Sequence, residues 1–404
     1  MSTSLLYHGF GIRGYHHLRT TFESGSVIFK IQQKRKSLRC ANCGSNNVHR
    51  RGLFRRTFQH LPIGGKPVFV ELDVARVHCQ SCDKIRQTKV PLAEVQRTYT
   101  RAFARYVLEL CRRMTMADVA RHLGVSWWMV KNIEKRHLKK HFSRPKLKHA
   151  RQIAIDEIAV GKGHRYLTVV LDLESGVVLH VGNGKGTDAL SGFWRRLKAS
   201  RVRIEAVACD MSPAYIKAVL EHLPDAALVF DRFHVVKLFN DRLANFRREL
   251  FREATDMLQK NVLKGTRWLL LKNLENLDED RHERTRLEDA LALNRPLATA
   301  YYLKEDLRRF WEQKSRRAAE RFLNDWCARA RASGIRFLQK FANTLQGHRN
   351  GLLAWYDYPI STGPLEGTNN KIKTMQRQAY GFRDHEFFRL KIYALHETKL
   401  KLIG

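Results

Sequence analysis

The chain has 404 residues, enough for several domains with their own cores, and a formal net charge of +35. A charge of this size predicts a polyanionic partner, with nucleic acid as the first candidate. The sequence has no apolar run long enough to span a bilayer and no signal-peptide pattern, so we expect no membrane partner and a cytoplasmic location. The seven cysteines are then expected to bind metal or fill the core, and not to form disulfides.

The positive charge is concentrated toward the N-terminus. Residues 1–150 contain 30 Lys and Arg but 8 Asp and Glu, a net charge of +22. The remaining residues contain 44 Lys and Arg and 31 Asp and Glu, a net charge of +13. The N-terminal part is therefore predicted to make the stronger electrostatic contact with a nucleic acid. Solvated surface or RNA binding would explain the same composition, so charge alone leaves the partner open.

Two CxxC motifs predict a zinc site. Cys40 and Cys43 form the first motif, and Cys79 and Cys82 form the second. Each motif brings two thiolates together, and two motifs supply the four ligands of one tetrahedral zinc ion. The residues between them are expected to form strands around a Pro-Ile-Gly-Gly turn. Residues 1–95 are therefore predicted to be a zinc-ribbon-like DNA-binding domain, with four unrelated core cysteines as the alternative.

Residues 96–149 have helical periodicity and a pattern typical of a helix-turn-helix DNA-binding domain. Ala117–Leu123 is the predicted first helix, Gly124 the turn and Ser126 the N-cap of the second helix. The side chains expected to pack between these helices are Val119, Leu123, Val125, Val130 and Ile133. The side chains expected to face the DNA groove are Trp127, Trp128, Lys131, Asn132 and Lys135. Core packing is the alternative for either tryptophan.

Residues 150–248 form a strand-rich block, with acids within a predicted strand or directly after one. Ile153–Val160 is predicted to be a buried strand, and burying an unpaired carboxylate such as that of Asp156 is costly. Ala206–Cys209 is predicted to be a second strand that delivers Asp210 at its end. Arg165–Val181, between them, has the pattern of a two-stranded hairpin.

The block ends with another strand, Ala227–Phe230, which is followed by Asp231 and a basic helix. We expect Asp231 to play a supporting role, holding Arg232, His234 or a metal-bound water. A strand-end cap and a direct fourth metal ligand are the alternatives. His234 is expected either to contact DNA near the reacting phosphate or simply to pack.

The rest of the chain is mostly helical in pattern. Residues 249–352 are predicted to form a helical domain. Four tryptophans lie in or just beyond it, and we expect most of them to lie in the core: Trp268, Trp311, Trp326 and Trp355. Residues 353–404 contain a turn and then a helix with Glu366, Asn370 and Lys373 on one face. We expect Asn370 and Lys373 to contact DNA.

Asp156, Asp210 and Glu366 are together a candidate metal site. Phosphodiester chemistry with two divalent ions needs hard oxygen ligands that converge from separate elements. Mg²⁺, or Mn²⁺ in its place, prefers carboxylates and water. An acid within a central strand, one after a neighbouring strand and one on a late helix are what an RNase-H-like fold would supply. A structural salt bridge is the alternative for Asp156 by itself.

The chain resembles bacterial DDE-type insertion-sequence transposases of the ISL3 family. The resemblance is carried by the paired CxxC motifs, the helix-turn-helix and the segments IAIDEIAV, VACDMSPAY, VFDRFHVVK and GPLEGTNNKIK, in this order. It implies a multidomain α+β and α/β chain, with an RNase-H-like catalytic core over residues 150–248 and 353–404 and an all-helical insertion over residues 249–352. It also implies that Asp156, Asp210 and Glu366 are the metal-binding triad.

Such a protein would bind the terminal inverted repeats of its element through the N-terminal domains. It would cut the element end with water as nucleophile and then use the freed 3′-hydroxyl to attack target DNA. Activity on two ends favours a homodimer, and the bacterial nucleoid is the expected location. Two rival hypotheses are a catalytically inactive DNA-binding regulator derived from a transposase and an RNase-H-like structure-specific nuclease.

Overall fold

The computed structural model describes residues 5–161, 163 and 165–396. The described chain forms two compact units, residues 5–141 and residues 142–396. Each unit has its own hydrophobic cores. Within the described ranges, every helix is too short or too polar to cross a membrane.

The first unit contains a mixed sheet. A short helix α1 (Leu5–His8) precedes strands β1 (Tyr15–Glu23), β2 (Ser26–Gln33), β3 (Val48–Ile63), β4 (Lys66–Cys79) and β5 (Ile85–Gln87). The strand order is β1-β2-β4-β3, with β5 paired to β4. Strand β4 lies parallel to β2, and alternate side chains of β4 point into the apolar core, as its period-two pattern requires. The predicted turn is present, at Gly64 and Gly65, whose φ angles of +54° and +79° favour glycine.

Three helices complete the first unit: α2 (Arg101–Cys111), α3 (Met116–Leu123) and α4 (Trp127–Phe142). Gly124 ends α3 in the left-handed region, with φ of +62°, and Ser126 Oγ accepts a hydrogen bond from the Met129 N–H at 3.2 Å. Four of the five predicted core residues are buried, and Val125 is partly buried against them. The turn and the cap are therefore as predicted.

The second unit is built on a five-stranded sheet. Its strands are β6 (Gln152–Gly161), β7 (Arg165–Asp172), β8 (Val178–Asn183), β9 (Ala206–Cys209) and β10 (Ala227–Phe230). The strand order is β10-β9-β6-β7-β8. Strands β6, β7 and β8 are antiparallel neighbours, whereas β6, β9 and β10 are parallel. Strands β9 and β10 therefore end level with Ile155, in the middle of β6.

Helices cover both faces of this sheet. They are α5 (Ser191–Ser200), α6 (Pro213–His222), α7 (Arg232–Glu253), α8 (Met257–Gly265), α9 (Glu283–Leu293), α10 (Arg295–Arg308), α11 (Arg316–Ala332), α12 (Arg336–Gly347), α13 (Arg349–Leu353), α14 (Gly363–Gln378) and α15 (His385–Tyr393). Ile153 and Ile155 of β6 belong to one core, with α5, α6 and most of the later helices. Ala154 and Ile158 belong to the core beneath α14 and α15. Strand alternation therefore assigns Asp156 to the α14 face of the sheet.

The helical segment after α7 shares the first of these cores. Trp326 is fully buried and packs against Phe239 and Phe341, and Trp311 is also buried. Trp355 is half-buried. The core interpretation is wrong for Trp268, which is 65% exposed. The Arg267 guanidinium lies 4.7 Å from the Trp268 ring centroid, and this contact covers the ring without burying it.

Candidate active site

Three aspartates lie in a row across the second sheet, where β9 and β10 end beside the middle of β6. Ile155 of β6 pairs with Cys209 of β9, which is in register with Phe230 of β10. The next residue on each strand is an aspartate: Asp156, Asp210 and Asp231. Neighbouring strands lie about 4.8 Å apart, so the row brings together acids that are far apart in the sequence.

Asp156 is held by two hydrogen bonds. The Glu157 N–H donates to its Oδ1 at 2.8 Å, and Asn369 Nδ2 donates to its Oδ2 at 2.9 Å. Burial raises the pKa of Asp156 to about 6, and the positive charge of His234 opposes this rise. Asp156 is therefore a carboxylate that an added cation would stabilise.

Asp210 lies at the turn between β9 and α6. Its Oδ1 accepts a hydrogen bond from the Ser212 N–H at 3.0 Å. Ser212 and Pro213 begin α6, although the Ser212 side chain makes no capping hydrogen bond. The charge of Asp210 acts to raise the pKa of both Asp156 and His234, so Asp210 lies near these two groups.

Helix α14 is attached to the sheet at three points spaced seven residues apart. The Thr362 N–H donates to Asp231 Oδ1 at 3.1 Å, Asn369 donates to Asp156, and Gln376 Nε2 donates to the Val160 carbonyl at 2.5 Å. Seven residues are close to two helical turns, so these contacts share one face. Glu366 lies four residues after Thr362 and three before Asn369, on that face and with an exposed side chain.

Asp231 is 2% exposed and caps α7. Its Oδ2 accepts from the His234 N–H at 3.3 Å and lies 3.2 Å from His234 Nδ1. Burial acts to raise the pKa of Asp231, but the hydrogen bonds from His234 and Thr362 outweigh it, and the pKa falls below its usual value. Asp231 therefore joins a strand end, the start of α7 and the start of the helix that carries Glu366.

His234 is the cation beside the acid row. Burial acts to lower its pKa, but the hydrogen bond with Asp231 and the charges of Asp156 and Asp210 outweigh burial, so the pKa rises. Its Nδ1 lies 3.5 Å from Thr362 Oγ1, and within the described residues its Nε2 makes no hydrogen bond. The imidazole can therefore present Nε2–H outward while Nδ1 is held by Asp231.

The donor set suits a hard divalent cation. Asp156, Asp210 and Glu366 offer carboxylate oxygens, and in the described part of the chain none of them forms an ion pair with Lys or Arg. The described residues contain one group of three or more Cys, His, Asp or Glu side chains already gathered around a single point, and that group is the four cysteines. Asp156, Asp210 and Glu366 are therefore not gathered around a point at the spacing of the cysteines.

The four predicted cysteines converge in the first unit. Cys40 Sγ lies 3.7 Å from Cys82 Sγ, Cys43 Sγ lies 3.5 Å from Cys79 Sγ, and all four sulfurs are within 4.8 Å of one another. A tetrahedral zinc ion with Zn–S bonds of ~2.3 Å separates its sulfurs by about 3.8 Å, so the cluster fits zinc. Backbone N–H groups of Cys43 and Asn42 lower the pKa of Cys40 to about 6, which favours the thiolate.

The predicted recognition helix is α4. Trp127 and Trp128 are 46% and 68% exposed, so the core alternative is wrong for both. Lys131 Nζ lies 5.4 Å from the Trp127 ring centroid. The remaining predicted groove-facing residues, Asn132 and Lys135, are half-buried on the same helix.

Three family models match the chain. A model described as a transposase matches residues 153–392, one for the helix-turn-helix domain of transposase family ISL3 matches residues 88–138, and one for the zinc-finger of transposases IS204, IS1001, IS1096 and IS1165 matches residues 36–82. The chain belongs to transposase family ISL3. Its zinc ribbon, its helix-turn-helix and its DNA transposase function are thereby confirmed.

Relatives of this transposase are similar over most of their length. The transposase for insertion sequence element IS1001 of Bordetella parapertussis is 34% identical over 89% of each chain. The transposase for insertion sequence element IS1557 of Mycobacterium tuberculosis is 30% identical over 89% of this chain and 86% of its own. Among solved structures, the Drosophila P element transposase strand transfer complex has a TM-score of 0.39 and 12% identity, over 75% of this chain and 93% of the other.

Sequence reasoning missed Asn369. It selected Asn370 and Lys373, whose side chains are exposed, whereas the neighbouring Asn369 is 6% exposed and bonds to Asp156. The seven-residue spacing of Thr362, Asn369 and Gln376 was the available signal, because polar residues at this spacing share one helix face.

Proposed function

We propose that this transposase cuts and joins DNA in an RNase-H-like core formed by β6–β10 and α14. The supporting observation is the row of Asp156, Asp210 and Asp231, with the helix of Glu366 attached to it at Thr362 and Asn369. Three antiparallel strands followed by two parallel strands are the arrangement expected for that fold. Helices α8–α13 then form the insertion that separates α14 from the sheet in sequence.

In this proposal, Asp156, Asp210 and Glu366 hold two Mg²⁺ or Mn²⁺ ions. When bound, such ions activate the attacking oxygen and stabilise the leaving oxygen of a phosphodiester. The acids are suited to this because they are hard donors without Lys or Arg partners in the described residues. Burial also disfavours the charged form of Asp156, and a bound cation would offset that effect.

The remaining residues orient the acids and the DNA. Asn369 fixes the rotamer of Asp156, and Asp231 fixes the start of α14 and therefore the position of Glu366. His234 holds a proton on Nδ1 against Asp231 and donates from Nε2 to a phosphate oxygen near the cut bond. Asp231 thus acts through His234 and Thr362, as a supporting residue and not as a metal ligand.

DNA recognition is assigned to the first unit. We propose that the zinc ribbon and α4 bind the terminal inverted repeats, with Trp127, Trp128, Lys131, Asn132 and Lys135 toward the groove. Asn370 and Lys373 on the exposed side of α14 are proposed to contact the DNA backbone. Because two element ends must be processed, a homodimer is expected, and the bacterial nucleoid is the expected place of action.

The test is cleavage of a duplex that carries the element's own end, identified from the DNA that flanks the gene. Asp156→Asn, Asp210→Asn and Glu366→Gln should each abolish cleavage and strand transfer while end binding persists. Asp225→Asn, an exposed acid before β10, is the matched control and should stay active. Full activity of any triad variant in Mg²⁺ would remove that residue from the site.

The same assay separates the rival functions. A DNA-binding regulator would bind the end without cutting it. A structure-specific nuclease would cut branched DNA in preference to the element end. A transposase should cut the element end and join its 3′-hydroxyl to a second duplex.

A further inference from the structure

One face of the N-terminal sheet carries a groove with a volume of about 580 Å³. Three of the lining residues are neighbours on adjacent strands. His16 of β1 pairs with Gln32 of β2, and Gln32 pairs with Asp73 of β4. The segment after β2, with Lys34 and Arg35, forms one wall of the groove.

The groove is strongly cationic. Lys34, Arg35, Lys36 and Arg50 line it with exposed side chains, and none of them forms an ion pair within the described residues. Asp73 is the one acid among the lining residues of the described chain, and Arg55 Nε lies 3.3 Å from its carboxylate. The lining therefore presents uncompensated positive charge to solvent.

The matched ranges cover only part of this surface, since the zinc-finger match includes the lining residues Lys36, Leu38, Arg50, Leu53, Asp73 and Ala75. The zinc-finger match begins at residue 36 and the helix-turn-helix match at residue 88, so β1, β2, Lys34 and Arg35 precede every matched range. The groove is also separate from the cysteine cluster, since none of the four cysteines lines it.

Strand β3 runs from the groove to the segment that precedes α2. Near its start, Arg50 and Leu53 line the groove. Near its end, Gln59 exchanges backbone hydrogen bonds of 2.8 and 2.9 Å with Thr98 and Thr100, just before α2. Leu53 and Gln59 are six positions apart along the strand, a distance of about 20 Å. The groove and the segment that leads into α2 are therefore attached to the same strand.

We propose that this groove binds the phosphate backbone of DNA, as a contact separate from the cysteine cluster and from α4. The inference rests on the proposed recognition of element ends by the first unit. Several uncompensated cations beside polar Gln32 and His16 suit phosphate and sugar contacts, which position a protein on DNA and contribute little to the choice of sequence. The groove therefore strengthens binding to every duplex, and α4 supplies the preference for the element end.

The experiment compares two double variants of the full chain. Arg35→Ala with Lys36→Ala removes two groove charges, and Lys66→Ala with Lys89→Ala removes two exposed charges of the same unit outside the groove. The probes are an element-end duplex of about 40 base pairs, some four helical turns, and a scrambled duplex of equal length. Affinity is measured from roughly 0.05 to 0.2 M salt.

The groove variant should lose about tenfold or more in affinity for both duplexes, and its slope of log affinity against log salt should fall by roughly 2. The control variant should change far less. Equal losses in the two variants, or a loss confined to the element end, would overturn the proposal. Zinc content and melting temperature are measured for both variants, so that a folding defect is identified as such.

The outcome distinguishes this inference from the proposed function. If the unmutated transposase does not prefer the element end, the proposed recognition fails. If it prefers the end and the groove variant binds like the control, the groove assignment alone fails.

Discussion

Asn369 on α14 donates a hydrogen bond of 2.9 Å to Asp156 on β6, a residue 213 positions away in the sequence. Asn369 is 6% exposed, and no other contact joins the middle of α14 to a carboxylate of the acid row in the described residues. Together with the Glu157 N–H, this bond orients Asp156, and it attaches the part of α14 beside Glu366 to the sheet.

Asn369→Ala should lower the cleavage rate about 10- to 100-fold, as changes to the hydrogen-bond partners of metal ligands do. The loss should shrink as Mg²⁺ rises, because a looser carboxylate binds the ion less tightly but is still present. Element-end binding should be unchanged. The measurement is single-turnover cleavage across a Mg²⁺ titration.

Asn370→Ala is the matched control, since it is the neighbouring asparagine with an exposed side chain. It should leave the Mg²⁺ dependence unaltered. An equal shift of the Mg²⁺ dependence in both variants would show that the Asn369–Asp156 bond does not matter for the site.

Asp231→Asn should weaken activity without abolishing it, unlike Asp156→Asn. The variant keeps an acceptor for the Thr362 N–H but loses the charge that holds His234, so residual cleavage should rise with Mg²⁺. The lost charge-assisted bonds should also lower the free energy of unfolding by about 1–3 kcal/mol. Full activity at low Mg²⁺ would make Asp231 a purely structural cap.

Cys40→Ser or Cys79→Ser should prevent the first unit from folding, because zinc binding and folding of such a site are coupled. Elemental analysis should find one zinc per chain in the unmutated protein and little in either variant. Cys111→Ser, outside the cluster, should retain the metal. A zinc-free but folded unmutated protein would contradict the assignment.

His60 should make the first unit sensitive to acid. Burial lowers the pKa of His60 to about 4, below the value of about 6.5 that an unfolded chain has. The unfolded chain therefore binds more protons between these values, so stability is complete above about pH 6.5 and is lost as the pH falls toward 4. The loss should be on the order of 2–3 kcal/mol.

His60→Gln tests this by comparing melting temperatures from pH 7 to pH 4. The substitution removes the hydrogen bond to Thr100, so it should lower stability at pH 7. The melting temperature of the variant should nevertheless fall less steeply with acid than that of the unmutated protein. This difference separates the effect of His60 from the acid-driven loss of zinc, which both proteins share. Parallel curves would refute the role of His60.

The sequence by itself determined the local elements. The CxxC spacing located the zinc ligands, and Gly124 and Ser126 located the turn and cap of the helix-turn-helix, because these features depend on residues within a few positions of one another. Apolar strands that end in Asp210 and Asp231 were predictable for the same reason. The resemblance to the ISL3 family, confirmed by the matches, then connected these pieces to transposition.

Only the tertiary structure decided which side chains meet. Asn369 and not Asn370 reaches Asp156, and Asp231 is tied to Thr362, because the rotation of α14 on the sheet is set by packing between distant segments. The exposure of Trp127, Trp128 and Trp268 could likewise not be predicted. The residues next to a tryptophan in a helix do not show whether another element will pack over its ring. Local chemistry is encoded by spacing, whereas long-range contacts arise only when the separate elements pack.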